Sequence, residues 1–144
     1  MLRAAILSCA VLLSAPVLSA PAWALDLTVT VEGIDPANGP LMLGLFDRAD
    51  LFDRAPDTLG QAVAGLRVVP GGARVSVTLS GLPSGRYAAA AFQDRNGNGT
   101  LDTNLLGLPT EAYGFSAPAG LGRPSFDAAA ADSASGALRV RMRD

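Results

Sequence analysis

The feature that most constrains this chain is a period of two. Leu27, Val29 and Val31 alternate with Thr28, Thr30 and Glu32, and Val75, Val77 and Leu79 alternate with Arg74, Ser76 and Thr78. Successive side chains of a strand point to opposite faces, so this spacing suits a half-buried strand and cannot place one apolar stripe on a helix. Leu138, Val140 and Met142 repeat the pattern against Arg139, Arg141 and Arg143. Leu41 to Phe46 is apolar on both faces and reads as a central strand. Ala62 to Val69, Arg86 to Gln93 and Phe126 to Ala131 read as further strands. Asp35-Pro36, Asn38-Gly39, Pro70-Gly71-Gly72 and the corner Gly81 to Gly85 punctuate them. Leu51 and Phe52 read as a loop or single helical turn tucked under the sheet. Residues 94 to 125 contain no convincing regular element, and a segment of that length in a compact domain is usually functional or metal-ordered. The expectation is all-β: an immunoglobulin-like or transthyretin-like sandwich of about seven strands, with a long irregular loop before the last two. Tyr87 enters its strand just after a corner, where its hydroxyl can turn back to the backbone.

The first 24 residues differ from the rest. Arg3 precedes an apolar stretch from Ala4 to Leu18, and Ala22-Trp23-Ala24 gives the small-x-small pattern of a signal-peptidase site. The expected organisation is a signal peptide over 1–24 and a single domain over 25–144, periplasmic or secreted. A membrane anchor fits less well, because Pro16 and Pro21 interrupt a run already short of the ~20 residues that span a bilayer. A lipidation box at Ile6 to Cys9 would remove most of the apolar core and is rejected. The remainder has no cysteine and therefore no disulfide, so packing, or packing plus a metal, must hold it. The absence of histidine excludes a Ser-His-Asp triad and a histidine pH switch. Ten of the eleven arginines remain against thirteen acids, a net charge of −3, which argues against nucleic acid as a partner.

One constellation carries chemistry. Asp94-Arg95-Asn96-Gly97-Asn98-Gly99-Thr100-Leu101-Asp102 sets oxygen-bearing side chains at positions one, three, five and nine. Calcium prefers six to eight oxygen ligands, and a tightly curled loop turns alternate side chains inward. Asp94, Asn96, Asn98 and Asp102 could then converge, with Thr100 offering its carbonyl and Gly99 at the sixth position, where an EF-hand loop needs glycine. Position twelve is Leu105 rather than glutamate, so the loop is not an EF-hand. Glu111 is the candidate for the missing carboxylate, because Gly107 and Pro109 let the chain fold back. With two asparagines diluting the charge, the expected affinity is about 0.1 to 1 mM, as in extracellular modules. The competing reading is a metal-free bend, since Asn-Gly pairs tolerate positive φ.

Other features are weaker. Gly114-Phe115-Ser116 is half of a nucleophile elbow without a histidine base. The loop carboxylates could form a glycosidase acid pair, but exposed among Asn and Gly they suit a ligand set better than a general acid. The Arg139, Arg141, Arg143 row reads as the solvated face of an edge strand.

Taken together, Gly81-Leu82-Pro83-x-Gly85-x-Tyr87, Phe92-x-Asp94-x-Asn96-Gly97-Asn98-Gly99-x-Leu101-Asp102-x-Asn104 and Gly107-x-Pro109-x-Glu111-x-Tyr113-Gly114-Phe115-Ser116 resemble an exported bacterial family, domain of unknown function 2141. One departure is Ala112, where such proteins often carry glycine. The resemblance implies a secreted β-sandwich of this length and supplies no activity. The functional expectation is a non-catalytic binding or structural module with a calcium loop at 94–111 and a cell-envelope or extracellular partner. The alternatives are a metal-free carbohydrate or envelope module, with Tyr113 and Phe115 as the sugar platform, and a hydrolase using the loop carboxylates.

Overall fold

The computed structural model describes residues 24–118 and 122–144. The expected signal peptide therefore lies, but for Ala24, outside the described residues. Eight strands form: β1 (Leu25–Glu32), β2 (Leu41–Phe46), β3 (Ala64–Val68), β4 (Arg74–Leu82), β5 (Arg86–Gln93), β6 (Tyr113–Phe115), β7 (Ala131–Asp132) and β8 (Ala137–Arg143). Two single-turn helices, α1 (Ala49–Phe52) and α2 (Phe126–Ala129), lie between them. Hydrogen bonding follows one continuous path, β3-β2-β5-β6-β8-β1-β4, with β7 paired beside β5. The β1–β8 pair is parallel and the others are antiparallel, so the chain is mostly β and its sheet is mixed. The count is eight strands rather than about seven, and the ladder links them end to end.

The period of two explains the packing. Leu27, Val29, Val31, Leu41, Leu43, Leu45, Leu138 and Val140 all turn inward into one cluster, which residues of β4 and β5 complete. Because strands from both ends of the path share this cluster, the sheet curls around it. Thr28, Thr30, Arg139 and Arg141 take the other face.

A second cluster lies on the outer face of β2 and β5, under α1 and α2. Ala88 to Ala91 make it feasible: short side chains let β5 be buried on both faces. Phe52 sits at its centre, edge-on to Phe46, Phe115 and Phe126 at 5.9, 5.7 and 6.0 Å. Each such buried ring contributes about 1.5–3 kcal/mol by burial alone.

Three expectations change. Phe126 to Ala131 is not one strand; Ser125 caps α2 by accepting from the Ala128 N–H at 3.3 Å, and β7 follows. The capping serine outweighs the weak apolar run. The 94–125 segment does contain a strand, the three-residue β6, too short to announce itself by alternation. Finally, β8 is not an edge along its whole length; from Arg141 to Arg143 it is paired with β6, it is paired with β1 on its other side, and its arginine face meets Glu32 of β1.

Candidate functional site

The irregular segment begins where β5 ends, and that junction is anchored twice. Gln93, 1% exposed, accepts from the Asp35 N–H at 3.2 Å and donates to the Asp35 carbonyl at 2.7 Å. The Asp94 N–H donates to the Pro40 carbonyl at 2.9 Å. Gly39, at φ +83°, passes so close to the Asp94 carbonyl that a Cβ would collide with it.

Asp94 is only 2% exposed, and its carboxylate is wrapped by backbone. Oδ1 accepts from the Gly97 and Asn98 N–H groups at 2.8 and 3.0 Å; Oδ2 accepts from Gly99 N–H at 2.8 Å. Gly97 and Gly99 adopt φ of +76° and +78°, which turns successive N–H groups toward one centre. Glu111, 5% exposed, closes the segment from its other end. Its Oε1 accepts from Arg95 N–H at 2.8 Å and its Oε2 from Asp102 N–H at 3.1 Å. Bonds to a charged acceptor are worth about 1.5–3 kcal/mol each, enough for five of them to offset the desolvation of two carboxylates.

Above this base three side chains meet. The Asn96 side-chain amide donates to Asp102 Oδ2 in a short contact, and the Asn98 amide donates to Asp102 Oδ1 at 2.9 Å. Asn96 Oδ1 accepts from Asn98 N–H at 3.1 Å, and Asn98 Oδ1 from Thr100 N–H and Oγ1 at 2.9 and 3.1 Å. Among the described residues, no ion pair reaches Asp94, Asp102 or Glu111.

The structure thus brings Asn96, Asn98 and Asp102 together over Asp94, with Thr100 bonded to Asn98. Glu111 does not join that group; it clamps the backbone at residues 95 and 102. Among the described residues, no three His, Cys, Asp or Glu side chains gather as a metal-binding group. A cation here would be held by the half-buried Asp102 carboxylate, the remaining lone pairs of Asp94 and the Asn96 and Asn98 amide oxygens, once their NH₂ groups turn off Asp102; that is a hard oxygen set of the kind calcium takes.

The segment between Asp102 and Glu111 forms its own turn. Asn104 Oδ1 accepts from the N–H groups of Leu106 and Leu108 at 2.9 and 3.1 Å, leaving Leu105, Leu106 and Leu108 exposed at the tip. Gln93 and Asn104 are structural residues that spacing alone did not single out. Gly39 carries a signal only as part of the Asn38-Gly39 turn, and its approach to Asp94 is not visible in the sequence.

The weaker candidates have structural roles. Ser116 Oγ donates to the Ala129 carbonyl at 3.0 Å and accepts from Ala89 N–H at 2.7 Å, which ties α2 to β5. Phe115 is 5% exposed in the second cluster, so it offers no sugar platform. Tyr113 lies under the Arg143 guanidinium at 5.7 Å.

A curled, mostly β domain whose irregular segment is stapled by two buried carboxylates is the class these observations define. Within it, residues 29–141 match the family of uncharacterized proteins conserved in bacteria, DUF2141, and the chain belongs to that family. No curated protein and no solved structure matches it.

Proposed function

We propose that the protein is an exported, non-catalytic binding or structural module whose 94–102 loop takes one calcium ion weakly. The carrying observation is the meeting of Asn96, Asn98 and Asp102 over buried Asp94, with no arginine among the described residues paired to any of the loop carboxylates. Neutral N–H donors satisfy these carboxylates without cancelling their charge, so an anionic loop with amide oxygens beside it favours a hard cation. Export is supported by the leader pattern and by the start of β1 at Leu25, the first residue after the expected cut. A kinship with immunoglobulin-like or transthyretin-like sandwiches is supported by Tyr87, whose hydroxyl donates to the Pro83 carbonyl at 2.8 Å across the corner. An experimental structure with a flat, open sheet would end that kinship.

The metal test is calorimetric. At one hundred times its dissociation constant, calcium should stabilise the native state by about 2.7 kcal/mol. The melting temperature should rise by several degrees over an EDTA sample, and Asp102→Asn should abolish the rise. Identical melting curves with and without calcium would contradict the metal reading. A metal-free loop, favoured by the five backbone N–H groups already on Asp94 and Glu111, would then stand. For export, the N-terminus of protein recovered from the periplasm or medium should be Leu25, and protein retained in the cytoplasm with an intact leader would contradict it.

A further inference from the structure

Among the described residues, the sheet has an edge inside its path that no strand covers. β8 is seven residues long and its neighbour β6 only three, so their ladder runs from Tyr113↔Arg143 to Phe115↔Arg141 and stops. On its other side β8 remains paired with β1 from Ala137 to Arg141. Beyond Phe115 the chain stays with β5: Ser116 N–H donates to the Ala89 carbonyl at 2.9 Å, and β7 later pairs with Arg86 and Tyr87. β5 therefore stays covered while the first half of β8 loses a neighbour.

The direction of the backbone groups follows. The Gly136 carbonyl accepts from Thr28 N–H at 2.9 Å, so it faces β1. Groups alternate in direction along a strand, so Arg139 turns its N–H and C=O the other way. They face a half-open cleft of about 640 Å³, walled by Ala128 to Ala131 opposite β8. Among the described residues, no strand pairs with Ala137 to Val140 on that side. The edge without a partner strand is about four residues, or ~13 Å, long; on it the Ala137 carbonyl accepts from Ser135 Oγ at 3.3 Å, which leaves the Arg139 N–H and C=O for an added strand.

Charge marks the mouth of the cleft. Arg139 and Arg141 line it, and both lean on Glu32 at 4.0 and 3.9 Å. Glu32 is already paired with Arg74 at 2.9 Å, so one carboxylate serves three guanidinia. The side chains of Arg139 and Arg141 remain 68% and 69% exposed. A positive excess beside unpaired backbone and small-residue walls suits one occupant.

We infer that the cleft binds an extended acidic peptide segment of a partner protein, which adds a strand to β8 opposite Ala137 to Val140 and sets a carboxylate side chain against Arg139 and Arg141. Main-chain bonds give such strand addition its affinity, and alternate side chains give it specificity. The small alanine walls admit the inward residues only if those are short, such as threonine or valine.

The test uses the purified protein and a fluorescein-labelled peptide, acetyl-Thr-Glu-Val-Glu-Thr-Glu-amide, read by fluorescence anisotropy. Saturable binding is expected, weakened about tenfold in an R139Q/R141Q double variant and by replacement of the peptide's glutamates with glutamine. N-methylation of both the central valine and the glutamate after it removes a strand donor facing β8 in either strand direction, and should weaken binding comparably. The double variant should melt within a few degrees of the wild type, since its arginines are exposed. No binding, unchanged binding in the folded double variant, or unchanged binding of the N-methylated peptide would each overturn the inference. So would binding of dodecyl phosphate that the peptide cannot displace, which would assign the cleft to an anionic amphiphile.

Discussion

Glu32 and the pair Asp94–Glu111 show two ways of accommodating a carboxylate. Glu32 sits on the outer face of the sheet and meets Arg74, Arg139 and Arg141. Asp94 and Glu111 are buried, meet no guanidinium among the described residues, and take five backbone N–H groups instead. The difference decides what each can do. Exposed guanidinia compete with water and salt, so the Glu32 cluster adds little stability and leaves cations available to a partner. Backbone donors cannot leave, so Asp94 and Glu111 fix the shape of a segment with almost no regular structure.

The largest expected effect is on the buried side. Asp94→Ala removes the charged acceptor of three backbone N–H groups that hold the loop's shape, and should cost about 3 kcal/mol or more. The melting temperature should fall by on the order of 10 °C. A loss no larger than that of a surface substitution would remove the distinction between the two sites. Glu111→Gln keeps one acceptor oxygen but sets an amide NH₂ against a backbone donor, and should cost about 2 kcal/mol by denaturant titration.

Tyr87→Phe comes next, at about 1 kcal/mol for the lost bond to Pro83. Burial, with Asp47 a smaller contribution, raises the Tyr87 pKa above the ordinary tyrosine value. The folded state thus holds the phenol proton more tightly than the unfolded one. That stability is complete below about pH 10 and is lost as pH rises through the folded pKa. The phenylalanine variant should lack this alkaline decline; an equal decline in both would contradict the assignment.

Smallest is Glu32→Gln, expected below about 1 kcal/mol and smaller still at high salt. A cost matching that of Asp94→Ala would mean that arginines, rather than backbone donors, make the stronger clamp here.

Most strands were legible: the alternating runs at 27–32, 74–79 and 138–143 fall in β1, β4 and β8, and Leu41–Phe46 and Arg86–Gln93 form with the bounds expected of them. The corner bond of Tyr87 was legible too, because it is local. β6 was not, since three residues carry no period and its pairing depends on β5 and β8, both distant in sequence. α2 was missed because one capping serine outweighed a weak apolar run. The site was legible as a set of residues and less so as a geometry. Spacing brought Asn96, Asn98 and Asp102 together, but oxygen counting assigned Glu111 to the ligand shell. It could not show that Glu111 would meet two backbone donors sixteen and nine residues earlier.

Native-state hydrogen exchange at the amides of Arg95, Gly97, Asn98, Gly99 and Asp102 shows whether the two buried carboxylates hold the segment. Buried acceptors should protect all five although none lies in a strand or helix, and Asp94→Ala should release residues 97–99 while β2 and β5 stay protected. Exchange of these amides at free-chain rates in the unaltered protein would mean that the carboxylates do not hold the segment.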